Sequence, residues 1–281
     1  MKVLVTIQAV REAVREARKQ GRVVGLVPTM GALHQGHLSL VQQACRECSF
    51  VIVSIFVNPT QFGPREDFAV YPRSLSADCE LLKREQVDVV FAPSVEEMYV
   101  PKADTWVEIP SLSRVWEGRF RPGHFRGVCT IVAKLFNIVQ PDFAYFGWKD
   151  AQQLIIIRKM VEELNYPIVI VGCPTVREKS GLACSSRNVF LSPKERAIAP
   201  AIYQSLKIIQ DMVKSKGITQ AKKLILAARK FLKNYPQIKI QYLAAIELQT
   251  LRPVKKVGPG VLIVVAVKLG KVRLIDNLLL T

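Results

Sequence analysis

Short apolar runs along this chain alternate with stretches whose apolar positions recur every three or four residues, the pattern of strands feeding amphipathic helices. "KVLVT" (2–6) predicts a strand. Thr6 then stands where a helix N-cap belongs, and in "IQAVREAVREARKQG" positions 7, 10, 14 and 17 share one face before Gly21 stops the helix. Further strands are predicted in "VVGLV" (23–27), "FVIVSIFVN" (50–58), "VDVVFAP" (87–93), "DFAYFG" (142–147) and "PIVIVG" (167–172). Helices are predicted in "HLSLVQQACREC" (37–48), "LSADCELLKREQ" (75–86), "VCTIVAKLFNIVQ" (128–140) and "AQQLIIIRKMVEEL" (151–164). Strands that are apolar throughout and separated by helices are buried on both faces, which means a parallel sheet with helices on either side. Residues 1–175 are therefore expected to form a doubly wound α/β, Rossmann-like domain.

Beyond the "SSRN" loop the pattern changes. "SPKERAIAPAIYQSLKIIQDMVKSKG" (192–217) reads as a helix capped by Ser192 with Pro193 at its first position, and "TQAKKLILAARKFLKNY" (219–235) as another. "IQYLAAIEL", "GVLIVVAVKLG" and "VRLIDNLLL" read as strands, the last two joined by a Gly-Lys hairpin. Residues 176–281 are thus expected to be a smaller α+β domain.

Charge divides the chain at the same place. Residues 1–176 carry 20 Lys+Arg against 18 Asp+Glu, and residues 177–281 carry 20 against 5, so most of the net +17 lies in the last third. Such a segment can bind nucleic acid, draw in small polyanions or be a solvated surface. No basic stretch interleaved with aromatics supports nucleic acid. No apolar run approaches the roughly 20 residues of a membrane span, and residues 1–20 read as a strand and a charged helix and not as a signal peptide, so a cytoplasmic protein is expected. The six cysteines lie mostly in apolar surroundings and read as reduced core residues; Cys45-x-x-Cys48 has no second ligand pair to make a metal site.

The chemistry begins at "LVPTMGALHQGHLSL" (26–40), which holds two of the three histidines, His34 and His37. Ligands of open α/β sheets bind at the carboxyl ends of strands, and this stretch leaves such an end to enter a helix. A helix N-terminus offers unpaired N–H groups and the positive end of its dipole, while Gly31 and Gly36 allow close backbone approach, so H-x-G-H here points to phosphate binding. The motif is shared by many nucleotidyl transferases, so attack on an α-phosphate is indicated and the substrate is left open. A transferase joining a nucleotide to a phosphorylated small molecule fits as well.

Five stretches narrow it. "PTMGALHQGHLSL", "FVNPTQFGPREDFAVYPR", "RPGHFRGV", "FGWKDAQQL" and "GLACSSRNVFLS" follow in the order and spacing of the pantothenate synthetase (pantoate:β-alanine ligase) family, which the chain resembles over essentially its whole length. The resemblance implies a two-step ligase. The pantoate carboxylate attacks the α-phosphate of ATP to give pantoyl adenylate and pyrophosphate, and the β-alanine amine then displaces AMP. It implies an ATP site lined by Met30, Gly31, Ala32, Leu33, His34, Gln35, Gly36 and His37, with His34 and His37 on phosphate and His37 as the proton donor. Gln61 and Gln153 would hold pantoate. Gly147, Trp148, Lys149 and Asp150 would meet the nucleotide, Lys149 on phosphate and Asp150 on the ribose. Val176 would offer backbone to adenine, and Cys184, Ser185, Ser186 and Arg187 would form a second phosphate clamp in a lid domain, with Arg187 and Lys149 counted beside the histidines as catalytic. Mg²⁺ is implied with ATP, Asp78 being the matching carboxylate near it, through water. Trp148 stands where the family usually has Glu, Cys184 where it has Met, and Ala77 where relatives often have a second acid. A homodimer is implied. Neither nucleic acid nor membrane is expected as a partner.

Overall fold

Strands β2 (Val24–Thr29) and β3 (Phe50–Ile55) are almost wholly buried, as their unbroken apolar character requires. The structure, a computed structural model, describes residues 1–64, 66 and 68–280; Arg65 and Asp67 of the "FVNPTQFGPREDFAVYPR" stretch lie outside the described residues. With β1 (Lys2–Leu4), β4 (Val89–Phe91), β5 (Phe143–Gly147) and β6 (Val169–Cys173) they form a six-stranded sheet of order β1-β4-β3-β2-β5-β6. Every pairing in it is parallel. From β2 the order runs one way through β3 and β4 and the other way through β5 and β6. The switch point therefore lies between β2 and β5, where ligands of such sheets bind.

Helix α1 (Ile7–Lys19) starts at Thr6, whose hydroxyl accepts the Ala9 N–H at 3.3 Å, and buries Val10, Val14 and Ala17 as its spacing predicts. α2 (Gln35–Glu47) and α3 (Leu75–Arg84) follow β2 and β3. Short helical turns α4 (Val95–Met98), α5 (Pro110–Ser113) and α6 (Glu117–Phe120) carry too few residues to show a period and went unpredicted. α7 (His124–Val139) begins a turn earlier than its apolar pattern suggested. α8 (Ala151–Glu163) leads from β5 to β6.

A second sheet, β7 (Ile238–Glu247), β8 (Val261–Leu269) and β9 (Val272–Leu279), is antiparallel in that order, with β8 and β9 joined through Gly270 and Lys271. The helix expected over 192–217 is two: α9 (Pro193–Ile198) and α10 (Ala201–Lys216). Pro200 separates them because it has no N–H to continue the ladder and its ring collides with the carbonyl four residues back. Ser192 and Glu195 close a reciprocal capping box at the start of α9. α10 and α11 (Ala221–Leu232) bury Leu206, Ile209, Leu224 and Leu232 in one cluster with Ile263, Val265 and Val267 of β8.

The chain divides into two compact units, residues 1–147 with 152–174, and residues 148–151 with 175–281. The 148–151 turn thus belongs to the second unit although first-unit chain flanks it on both sides. Among the described residues no helix is long and apolar enough to cross a membrane.

Candidate active site

β2 delivers the H-x-G-H stretch at the carboxyl end of the sheet. The Thr29 hydroxyl donates to Ser54 O at 2.7 Å and accepts the Gly31 N–H at 3.2 Å, so the chain turns sharply as it leaves the strand. Gly31 (φ +79°) and Ala32 (φ +51°) are both left-handed, a conformation that strains Ala32 by about 1–2 kcal/mol. Asp78, 3% exposed in the first turn of α3, holds this shape: its Oδ2 accepts the Ala32 N–H at 2.9 Å and its Oδ1 the Leu33 N–H at 2.8 Å. Gly31 is required twice over, since a Cβ there would lie 2.9 Å from Asp78 Oδ2. Burial pushes the Asp78 carboxyl above its usual range, and the two N–H donors pull it back down.

Helix α2 starts slightly earlier than expected, and its cap is His34. The His34 Nδ1 accepts the Gly36 N–H at 3.1 Å, which puts the proton on Nε2 and leaves that nitrogen a donor. His37, one turn in, stacks on His34 with ring centroids 4.0 Å apart. Two half-buried imidazoles thus stand together at the positive end of a helix, an arrangement that suits an anion.

Gln61 is 8% exposed, not a solvated surface amide. It ends a short 3₁₀ turn (Pro59–Gln61) capped by Asn58. Asn58 Nδ2 donates to Gln61 Oε1 and to Gly127 O, both at 3.1 Å, and Asn58 Oδ1 accepts from the hydroxyls of Thr60 (2.9 Å) and Tyr99 (2.8 Å). With its oxygen so engaged, Gln61 directs Nε2 to Met30 Sδ at 3.0 Å. A thioether is a weak acceptor, so the amide keeps most of its donating capacity for a ligand. From the other side, His124 Nδ1 donates to Gln61 O at 2.7 Å, and a carbonyl can only accept, which fixes the imidazole tautomer. Its Nε2 then accepts from Arg121 Nη1 at 3.0 Å, while Arg121 pairs with Glu66. α7 approaches this turn so closely that a Cβ on Gly127 would lie 2.4 Å from Thr60 O. Sequence reasoning passed over Asn58, Tyr99, Arg121 and His124; only the third histidine, set in "RPGHFRGV", was a visible signal. Gln153 is half-buried in the first turn of α8, and Gly147 ends β5.

The second unit carries the remaining expected residues. Lys149 Nζ lies 3.6 Å from Asp150 Oδ1 in the 3₁₀ turn Trp148–Asp150. The Val176 carbonyl accepts the Cys184 N–H at 3.0 Å, which draws the 176–184 segment into a hairpin bridged at Arg177 and Ala183. Ser185 Oγ accepts the Arg187 N–H at 3.3 Å and caps the turn Ser186–Phe190; within it, Asn188 Nδ2 donates to Glu178 Oε1 and Ala183 O. These bonds hold Cys184, Ser185, Ser186 and Arg187 half-buried on a folded-back loop.

Asp78 does not fit a direct metal ligand, because both of its oxygens face loop N–H groups at hydrogen-bond distance. Among the described residues no three His, Cys, Asp or Glu side chains are grouped to hold a metal ion. Cys45, Cys48, Cys79, Cys129 and Cys173 carry free thiols. Burial raises the Cys45 and Cys48 thiols, the reverse of a redox pair, and their sulfurs face different partners, Glu85 O and the Tyr145 hydroxyl.

Comparison with known proteins gives this geometry a family. The sequence model of the pantoate-beta-alanine ligases matches residues 2–279. The chain is 51% identical to the pantothenate synthetase of Thermotoga neapolitana over the whole of both chains, and 51% identical to that of Moorella thermoacetica over 100% of this chain and 99% of the other. The crystal structure of pantothenate synthetase from Thermus thermophilus superposes with a TM-score of 0.94 at 46% identity, covering 99% of each chain. The pantoate-beta-alanine ligase of Francisella tularensis, complexed with beta-gamma ATP and beta-alanine, gives 0.82 at 37% identity, over 99% of this chain and 97% of that one. The chain belongs to the pantoate-beta-alanine ligase family.

Proposed function

We propose that this protein condenses pantoate with β-alanine at the expense of ATP, releasing AMP and pyrophosphate. The observation that carries this reading is the meeting of Gln61 with Met30, the residue that opens the H-x-G-H turn, at 3.0 Å. An amide suited to a hydroxy acid thereby meets the start of the turn that carries two stacked imidazoles suited to phosphate. Gln61 and Gln153 orient pantoate through neutral amides, which leave its carboxylate free of an ion pair that would blunt its attack. A carboxylate oxygen bonds to the α-phosphorus, and the bond to the bridging oxygen breaks with its electron pair leaving on pyrophosphate. His34 and His37 donate to the phosphate oxygens as charge moves outward, with His37 the proton donor. In this reading Lys149, Arg187, Ser185 and Ser186 are assigned to phosphate, Asp150 to the ribose, and Val176 with Cys184 to the adenine. The neutral β-alanine amine then attacks the acyl carbon, AMP leaves, and the nitrogen gives up a proton. Mg²⁺ would accompany ATP in this reading, bound largely through the substrate's phosphates and its own waters, and would offset their charge. The basic excess of residues 177–281 serves the nucleotide and not a nucleic acid. A cytoplasmic homodimer belongs to the same proposal.

The test is isotope exchange. Protein given Mg²⁺, ATP and pantoate without β-alanine is expected to exchange labelled pyrophosphate into ATP, because adenylate formation is reversible before any amine arrives. A transferase acting on a phosphorylated substrate gives no pantoate-dependent exchange, and its absence in protein that binds ATP would sink the adenylate mechanism. Gln61→Ala is expected to weaken pantoate use by roughly 1–3 kcal/mol, the cost of a buried polar group left unpaired, with ATP affinity little changed. Calorimetry showing an equal loss for ATP would put Gln61 on the wrong ligand.

A further inference from the structure

In "VRLIDNLLL" two polar residues stand side by side within an apolar strand, and the proposed reaction gives them nothing to do. Both are buried: Asp276 is 5% exposed and Asn277 9%. Neighbouring side chains of a strand point to opposite faces, so the pair can reach two segments at once. Asp276 takes Arg177 with both oxygens, Nη1 to Oδ2 at 2.6 Å and Nη2 to Oδ1 at 2.8 Å. Arg177 also lies over the Tyr203 ring at 3.6 Å and donates to Gly181 O at 3.2 Å, so the hairpin that follows Val176 is pinned through one guanidinium. Asn277 Nδ2 donates to two successive carbonyls, Trp148 O at 2.8 Å and Lys149 O at 3.0 Å. Asp276 Oδ1 in turn accepts the Asn277 N–H at 2.8 Å.

The two carbonyls belong to the peptide groups before and after the Lys149 Cα. Fixing both groups fixes φ and ψ at Lys149, and so the direction in which a flexible side chain leaves the backbone. We propose that Asp276 and Asn277 form a clamp that sets the two second-unit segments against one another, and that Asn277 is the positioning residue for Lys149. The contact is to backbone, so it holds whatever side chain occupies position 148. This inference rests on the phosphate role given to Lys149 above.

A double-mutant cycle tests it. Asn277→Ala, Lys149→Ala and the double variant are compared in pantoate-dependent adenylation by rapid quench, with ATP affinity from calorimetry and the melting temperature as a check on folding. Lys149→Ala is expected to lose about 10²-fold and Asn277→Ala about tenfold, the scale of losing or misplacing one charge-stabilising donor. In the Lys149→Ala background Asn277→Ala is expected to add no more than about a twofold loss, within the ordinary error of additivity. Asn277→Ser, which keeps a hydroxyl donor, is expected to recover part of the rate, and it carries the test if the alanine variant does not fold. Full additivity with either Asn277 variant, or a wild-type rate in Asn277→Ala with Lys149→Ala impaired, overturns the positioning role alone. A wild-type rate in Lys149→Ala overturns the phosphate role and this proposal together.

Discussion

Replacing His37 by alanine is expected to lower adenylate formation by about 10²-fold or more, the scale of removing one preorganised donor from developing charge. The substitution isolates chemistry from structure. Alanine is the better helix former, and His34 still caps α2 through its bond to the Gly36 N–H, so the helix should form as before. His34→Ala would be harder to interpret, because it removes a phosphate donor and a cap contributing about 1 kcal/mol together. Rapid quench with labelled ATP, on protein whose circular dichroism matches wild type, checks the expectation. A rate within a few-fold of wild type would take His37 out of the phosphate site.

The second large effect is expected at Asp78. Asp78→Asn keeps the volume but brings an NH₂ against one of the two backbone donors it now satisfies, the Ala32 and Leu33 N–H groups. One part-buried N–H is left unpaired, at a cost of up to roughly 1–3 kcal/mol, and the hold on the left-handed turn at Ala32 is halved. A shift of about 1 Å in the histidines that follow is enough for about a 10²-fold loss in adenylation. Stability is expected to move less. Burial raises the Asp78 carboxyl in the fold, so its favourable contribution is present below the unfolded value and is lost as pH rises through the folded one. At neutral pH the ionised group therefore burdens the fold, and the variant is relieved of that burden while it loses a bond. The half-saturating Mg²⁺ concentration should stay near wild type, and amide exchange at Ala32 and Leu33 should accelerate. A Mg²⁺ requirement raised tenfold with those amides still protected would make Asp78 a metal-facing residue.

How much of this was legible depended on whether a residue's meaning is local. β2 and β3 declare themselves because unbroken apolar runs have few alternatives, and Thr6 and Ser192 because a cap works within three residues. The break at Pro200 was equally local and was missed because the apolar period carries across it. His34 and His37 could be read as phosphate ligands because their chemistry and their place after a strand agree. Asp78 is different. A lone acid in "LSADCELL" says nothing of a loop 46 residues earlier, whose amides it holds once the chain is folded. Asn58, His124 and Asn277 look like ordinary polar residues until the chain folds them onto carbonyls far away. The adjacent Asp276 and Asn277 did leave a trace, since two successive polar positions break the apolar run of β9.

The bond from Asn277 to the Lys149 carbonyl spans 128 residues, and a chain leaves the ribosome N-terminus first. At about 5–20 residues per second, on the order of ten seconds separates the synthesis of Lys149 from that of the amide that fixes it. For most of that interval the strands of the parallel sheet, the last of which ends at Cys173, have been made while the lysine segment still lacks the Asn277 amide. A half-made chain can therefore carry the H-x-G-H turn while the backbone at Lys149 is still unset, and the shape of that segment arrives only with the final strand.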